Sequence, residues 1–178
     1  KKWWGIEHWE VEPDIITSAK SMANGVPIGL TLTRPEIADA YKGLTISTFG
    51  GNPVACVAAK ATIDLIEEER LMDNAEAVGR HFRAGLEALK EKHAIIGDVR
   101  GMGLMQGIEL VKDRKTKEPG TDLTNQVLER LRAHGLLVGK GGLYANVIRM
   151  SPPLNISKSD VDTALAALDK SLAEVGTK

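Results

Sequence analysis

A single lysine stands between an apolar run and a turn-rich segment near the start of the chain. The segment 13–29 reads PDIITSAKSMANGVPIG, with Lys20 near its middle and Asn24, Gly25 and Pro27 after it. We expect the Lys20 amine to be held out of bulk water there, where desolvation disfavours an ammonium ion. A lysine activated in this way attacks carbonyl compounds and forms a Schiff base. Because most lysines are solvated surface groups, this prediction depends on the other motifs of the chain.

A second segment combines a hydroxyl group, two glycines and a helix start. It covers residues 45–56 and reads TISTFGGNPVAC. Asn52 is a favourable N-cap, and Pro53 suits the first helical position because an N–H would be unpaired there anyway. Thr48 lies just ahead of this helix start, which predicts a site for an anion such as phosphate. Taken alone, the segment is also explained by an ordinary glycine-containing turn into a helix.

An arginine in the second half of the chain has the chemistry to bind a carboxylate. Arg149 lies in the segment 148–154, which reads IRMSPPL. Its planar guanidinium can make a bidentate contact with a carboxylate, and the alternative is a structural ion pair. Arg100 lies in the segment 97–105, GDVRGMGLM, after a predicted strand and before a glycine. We expect Arg100 to fix its own domain rather than to contact a substrate.

Together and in this order, the four motifs resemble those of class III (omega-type) aminotransferases of the pyridoxal-phosphate fold type I family. Segment 14–29 is similar to the Schiff-base lysine signature of that family, and segment 48–53 to its phosphate-binding turn. Segment 97–105 resembles the opening of the small C-terminal domain, and segment 148–154 resembles the stretch whose arginine holds a substrate carboxylate. The alanine–glyoxylate aminotransferase type 2 subgroup is the most similar, and the resemblance covers nearly the whole chain.

The resemblance implies a pyridoxal 5'-phosphate-dependent enzyme that moves an amino group between an amino acid and a 2-oxo acid. Lys20 would be the catalytic and cofactor-binding residue, Thr48 would bind the cofactor phosphate of the neighbouring subunit, and Arg149 would bind the substrate. Alanine with glyoxylate or pyruvate is the expected pair, and an omega-amino acid (4-aminobutyrate, beta-alanine or ornithine) is the alternative. A homodimer with a site shared across its interface is implied. Related enzymes act as racemases or phospho-lyases, and a non-catalytic folded fragment is also open.

The resemblance also implies an α/β fold, the C-terminal part of a fold type I transferase. Residues 1–70 would be the end of the large cofactor domain, and residues 71–178 the small C-terminal α/β domain. Aminotransferases of this type are more than twice as long as these 178 residues. In the family, the aspartate that pairs with the pyridine nitrogen lies upstream of the lysine motif. We therefore expect a C-terminal portion that is inactive by itself.

Composition excludes several other classes of function. The net charge is −1 with acids and bases interspersed, so no basic face for nucleic acid is predicted. With 43% hydrophobic residues the chain can form a core, but no apolar run approaches a membrane span. The four histidines and one cysteine show no metal-ligand spacing, and one cysteine cannot form an internal disulfide. A cytoplasmic protein is expected, or a mitochondrial one in a eukaryote.

Apolar periodicity and turn residues predict the remaining elements. The predicted helices run from Pro35 to about Gly43, from Pro53 to about Glu69, from Asp73 to His93, from a cap at Thr121 or Asp122 to Gly135, and from a capping box at Ser157 and Asp160 toward the C-terminus. The predicted strands flank Lys20 within 6–33, form a pair within 95–111, and cover 136–138 and 147–150.

Overall fold

The chain folds as two compact units. The computed structural model describes residues 2–176; the first unit ends at Met72 and the second begins at Asp73. This division lies two residues beyond the boundary that the sequence predicts after residue 70. Both units combine helices with strands, so the α/β class is confirmed.

The first unit is organised around a two-stranded antiparallel sheet. Strands β1 (Ile15–Ser18) and β2 (Leu30–Thr33) pair in register from one end to the other. A short 3-10 helix, Lys20–Ala23, lies between them, which confirms the predicted order of strand, lysine turn and strand. The other elements of this unit are a 3-10 helix (Gly5–Trp9), helix α1 (Pro35–Ala38) and helix α2 (Pro53–Glu68).

Helix α2 begins where the sequence predicts. The Asn52 side chain accepts a hydrogen bond from the backbone N–H of Ala55 at 3.0 Å, and its amide donates to the carbonyl of Phe49 at 2.9 Å. Pro53 occupies the first helical position, where it leaves no buried donor unpaired. The local chemistry of two residues therefore sets the start of this helix.

Small side chains fill the interior of the first unit. Helix α2 packs against the 3-10 helix that begins at Lys20. Within residues 2–72, the only buried side chains are those of Ala23, Ala55 and Ala59. Ala55 and Ala59 are four residues apart and share one face of α2. Alanines permit close approach but bury little apolar area, so the first unit has only a small hydrophobic interior.

The second unit is a sheet of antiparallel strands with three helices. The helices are α3 (Leu71–Lys92), whose first two residues precede the division between the units, α4 (Thr121–Ala133) and α5 (Lys158–Gly176). The strands are β3 (Ile96–Met102), β4 (Met105–Asp113), β5 (Glu118–Pro119), β6 (Gly139–Gly141) and β7 (Val147–Met150). The strand order is β3-β4-β7-β6, and β5 pairs with β4.

One hydrophobic core lies against a single face of this sheet. Ile108 on β4 is directly opposite Ile148 on β7, and both are fully buried. Residues from all three helices join the same cluster, including Leu86 of α3, Leu131 of α4 and Leu168 of α5. Because strand side chains alternate between faces, the residues between these core positions point to the other face.

Two predicted boundaries in the second unit are wrong. Helix α4 is capped by Gly120, because Thr121 is already helical and its hydroxyl donates to the carbonyl of Tyr144 at 2.7 Å. Residues 136–138 form no strand; the pairing begins at Gly139, which faces Arg149. In both places a contact distant in sequence outweighs the local propensity. The capping box at Ser157 and Asp160 is confirmed, with both reciprocal hydrogen bonds present.

Helix α5 is joined to α3 by ion pairs that depend on pH. Asp169 accepts from Lys92 at 2.5 Å and contacts the Nε2 of His93 at 2.6 Å. The hydrogen bonds from Lys92 and then His93 lower the pKa of Asp169 below its ordinary value of 3.8. Since the folded-state pKa is the lower one, this stabilisation is complete above pH 3.8 and is lost as the pH falls through the folded-state value.

We expect Asp169→Asn to reduce the dependence of the free energy of unfolding on pH under acidic conditions. The free energy of unfolding, measured by urea denaturation between pH 5 and pH 2.5, should fall less steeply in the variant than in the wild type. Asp122→Asn, which changes an exposed aspartate on α4, is the matched control and should leave the slope unchanged. Equal slopes in Asp169→Asn and the wild type would contradict a role for this ion pair.

Candidate functional site

Lys20 stands at the start of the 3-10 helix in an unusual backbone conformation. Its φ is 60°, in the left-handed region that lysine rarely adopts. Residues held in this region cluster at functional sites because the surrounding fold must compensate for the strain. Here β1 and β2 on either side and α2 beneath the 3-10 helix hold the backbone. The side chain makes no hydrogen bond or ion pair with any residue of 2–176.

The expected shielding of Lys20 from water is not observed. The residue is exposed, and the alanine-lined interior of the first unit does not cover it. The prediction of a desolvated amine is therefore wrong for the described part of the chain. The reason is that neither the apolar run before Lys20 nor the turn after it forms a second layer over the side chain.

Thr48 lies in a turn four residues ahead of the α2 N-cap. The turn is closed by a hydrogen bond from the N–H of Gly50 to the carbonyl of Ser47 at 3.2 Å. Gly51 follows with φ +67°, a conformation that favours glycine and redirects the chain into the helix. Thr48 is exposed, and its hydroxyl has no hydrogen-bond partner within residues 2–176. It is therefore available to a ligand.

Arg149 points away from the core on the open face of the second unit's sheet. Its strand neighbours Ile148 and Met150 are buried in the core, whereas Arg149 is exposed. Glycines lie opposite it on both adjacent strands, Gly107 on β4 and Gly139 on β6. The guanidinium lies over Gly139, with its Nε 3.5 Å from the place where a Cβ would be. Gly139 leaves this guanidinium room that a larger residue would occupy.

A shallow open pocket of about 310 Å³ adjoins Arg149. It is lined by Leu137, Val138, Gly139, Arg149 and Ser151. The Arg149 guanidinium makes no hydrogen bond or ion pair with any residue that the structure describes. A free guanidinium at such a pocket can bind a carboxylate through two parallel N–H donors.

Arg100, on the same face, is paired with two carboxylates. Arg100 of β3 lies 2.8 Å from Asp98 and 2.6 Å from Glu109. The hydrogen bonds to Asp98 and then Glu109 raise the pKa of Arg100, and its guanidinium lowers the pKa of Asp98. The expectation that Arg100 fixes its own domain agrees with these contacts within the unit. Within residues 2–176, Arg100 on this face is thus paired, whereas Arg149 is not.

The structure places the three predicted site residues in both units. Lys20 and Thr48 belong to the first and are not hydrogen-bonded to each other; Arg149 belongs to the second. Sequence reasoning missed the two glycines that flank Arg149 and the role of Glu109. Alternation along the 105–113 segment would have placed Gly107 and Glu109 on one face, but no local signal reveals which strands pair.

Among residues 2–176, no group of three or more histidine, cysteine, aspartate or glutamate side chains is arranged to hold a metal ion. No helix within the same range has the length and apolar character needed to cross a bilayer.

Comparison with known sequences identifies relatives over almost the whole chain. Alanine–glyoxylate aminotransferase 2 homolog 2 of Arabidopsis thaliana is 46% identical over 97% of this chain and 36% of its own length. The leucine/methionine racemase of Thermococcus litoralis is 45% identical over 98% of this chain and 39% of its own length. The chain therefore spans a little over a third of the length of these relatives.

Solved structures give the same result. An Arthrobacter phospholyase in complex with phosphoethanolamine superposes with a TM-score of 0.91 at 35% identity, over 96% of this chain and 41% of its own. A Pseudomonas amine transaminase in a pyridoxal-phosphate-bound form superposes with a TM-score of 0.87 at 35% identity, over 97% and 41%. These relatives catalyse different reactions on one shared fold.

The profile of the family described as "Aminotransferase class-III" matches residues 2–172. This match includes Lys20, Thr48 and Arg149 and both structural units. The chain belongs to the class III aminotransferase family.

Proposed function

We propose that this chain is the lysine-bearing part of an aminotransferase that transfers an amino group between an amino acid and a 2-oxo acid. The observation that carries the proposal is the free amine of Lys20, held at φ 60° within a segment that resembles the family's lysine signature. Family membership over residues 2–172 supports it. The class III family depends on pyridoxal phosphate, which makes this the proposed cofactor.

The residues present fit that cofactor. An aldehyde needs a primary amine without a fixed anionic partner, and Lys20 makes no ion pair within residues 2–176. A phosphate needs free donors near a helix start, and Thr48 presents an unpaired hydroxyl ahead of α2. When bound, the cofactor supplies an electron sink for the carbanion at the substrate carbon. Lys20 would hold it through Nζ and would move a proton at the substrate carbon as general base and acid.

Arg149 is proposed to orient the substrate. A carboxylate bound to its guanidinium would be held by two parallel hydrogen bonds. Such a contact positions the amino group without taking part in proton transfer. Arginine suits this role better than lysine because its fork of donors is planar and rigid.

Alanine with glyoxylate or pyruvate is the proposed substrate pair. The identity to the Arabidopsis relative supports it. An omega-amino acid is the alternative, and racemase and phospholyase relatives at similar identity keep those reactions open. The proposed compartment is the cytoplasm, or the mitochondrion in a eukaryote, as the Arabidopsis relative's name states for that protein.

A homodimer with a shared site is also proposed. Apolar side chains are strongly exposed from the loop before α2 into its first turns: Leu44, Ile46, Phe49, Val54 and Val57. Exposed apolar patches of this kind mark surfaces that another part of a protein covers. Thr48 lies within this patch, which supports its proposed contact with the cofactor of a partner subunit.

Reductive trapping tests the proposed cofactor contact. We expect a full-length protein carrying this sequence to bind pyridoxal phosphate and, after borohydride reduction, to retain a stable adduct that peptide mapping places on Lys20. Lys60, which pairs with Asp64 on α2 at 2.5 Å, should remain unlabelled. The 178-residue chain treated in parallel shows whether these residues suffice. An adduct confined to other lysines would overturn the proposal.

A further inference from the structure

Four residues form one row across the open face of the second unit's sheet. Arg100 of β3 is opposite Gly107 of β4, Gly107 is opposite Arg149 of β7, and Arg149 is opposite Gly139 of β6. We call these residues the open-face row. Its two arginines are separated by one glycine, and their backbones lie roughly 10 Å apart at two strand spacings.

One carboxylate of the same face lies within reach of both arginines. Glu109 is opposite Val147, which makes it the diagonal neighbour of Arg149. Diagonal neighbours on an antiparallel pair are about 7–8 Å apart, a separation that glutamate and arginine side chains bridge readily. Glu109 would therefore be expected to pair with Arg149.

The observed contacts hold Glu109 elsewhere. Its Oε2 lies 2.6 Å from Nη1 of Arg100, and its Oε1 accepts from the amide of Asn146 at 3.3 Å. Asn146 is itself fixed, because it is buried and also donates to the carbonyl of Leu110 at 2.9 Å. Both oxygens of Glu109 are occupied, and Arg149 has no carboxylate partner in residues 2–176.

We propose that Arg100 is a positioning residue that keeps Arg149 available to a substrate carboxylate by holding Glu109 away from it. The inference rests on the proposed function, in which Arg149 binds that carboxylate. Without the Arg100 guanidinium, the Oε2 of Glu109 is released and Asp98 loses its partner. The freed carboxylate then competes with the ligand for Arg149.

The test is a carboxylate titration of the 178-residue chain with labelled arginine side chains. The Nε–Hε signal of Arg149, assigned from its loss in Arg149→Lys, is followed at low salt while propionate is added. In Arg100→Met we expect the apparent dissociation constant for propionate to rise about three- to five-fold. In Arg100→Met with Glu109→Gln it should return to within about two-fold of the wild type, because the competing charge is gone.

Two control variants separate this role from a structural one. Glu109→Gln alone should leave propionate binding unchanged, and Arg80→Met, which breaks an exposed ion pair with Glu76 on α3, should do the same. Arg100→Gln, again with and without Glu109→Gln, replaces Arg100→Met should that variant unfold. In the full-length enzyme, Arg100→Met should raise KM for the amino acid, and Arg100→Met with Glu109→Gln should restore it. The value of kcat should be unchanged in both variants.

The outcomes distinguish the two proposals. An Arg149 signal that does not respond to propionate in the wild type overturns the role of Arg149, and the inference with it. The inference alone is overturned if the Arg149 signal responds but the dissociation constant for propionate is the same in Arg100→Met as in the wild type. It is also overturned if adding Glu109→Gln to Arg100→Met does not restore that constant.

Discussion

Lys20→Ala is expected to lower the rate of amino transfer by a full-length protein carrying this sequence by at least about 1,000-fold. The change removes the amine that holds the cofactor and also the group that moves the proton at the substrate carbon. General acid–base catalysis alone contributes about 100- to 10,000-fold, and covalent attachment adds to it. The measurement is single-turnover transfer from alanine to a 2-oxo acid.

The backbone at Lys20 makes this variant a clean test. Alanine carries the same Cβ penalty as lysine at φ 60°, so the exchange leaves the local strain unchanged. The exposed side chain contributes no packing that alanine would lose. We therefore expect the melting temperature of the protein without cofactor to change little, and any loss of rate to report on chemistry.

Two further variants show which property of the lysine matters. Lys20→Arg keeps the positive charge but lacks a primary amine, and it should be as inactive as Lys20→Ala. Lys60→Ala removes a lysine from α2 and should retain nearly full activity. If Lys20→Ala keeps both the cofactor spectrum and the wild-type rate, the proposed function fails.

Gly79→Ala is expected to destabilise the second unit by about 3 kcal/mol or more. Gly79 lies on α3 where that helix meets the turn between β3 and β4. A Cβ there would collide with the backbone carbonyl of Gly103 and lie 2.7 Å from its Cα. Gly103 has φ +51° in a tight turn, so its backbone cannot shift without loss of the hairpin. For a unit of this size, 3 kcal/mol corresponds to a drop of roughly 10–20 °C in melting temperature.

A second glycine on the same helix provides the matched comparison. At Gly85 the three atoms nearest to a Cβ, the first at 2.2 Å, all belong to the side chain of Leu165, which is half-buried and can change rotamer. Alanine also raises helix propensity by about 1 kcal/mol. We therefore expect Gly85→Ala to cost much less than Gly79→Ala in thermal denaturation. Equal effects of the two variants would contradict the close helix–turn contact.

The predictions that succeeded rest on interactions between residues near one another in the chain. Asn52 and Pro53 start α2, and Ser157 and Asp160 start α5, as the sequence predicts. A capping side chain reaches only two or three residues along the chain, so sequence spacing alone contains its geometry. Two of the predictions that failed, the cap of α4 and the strand at 136–138, involve contacts with residues ten or more positions away.

The same distinction applies to the site. The sequence by itself determined the family, and it proposed the amine of Lys20, the hydroxyl of Thr48 and the guanidinium of Arg149 as site groups, because each is a residue type within a short motif. Only the tertiary structure decided that Lys20 is exposed and that Arg149 lies between two glycines while Arg100 holds Glu109. Strand register and burial are set by long-range packing, and a shift of one residue would turn these side chains to the opposite face.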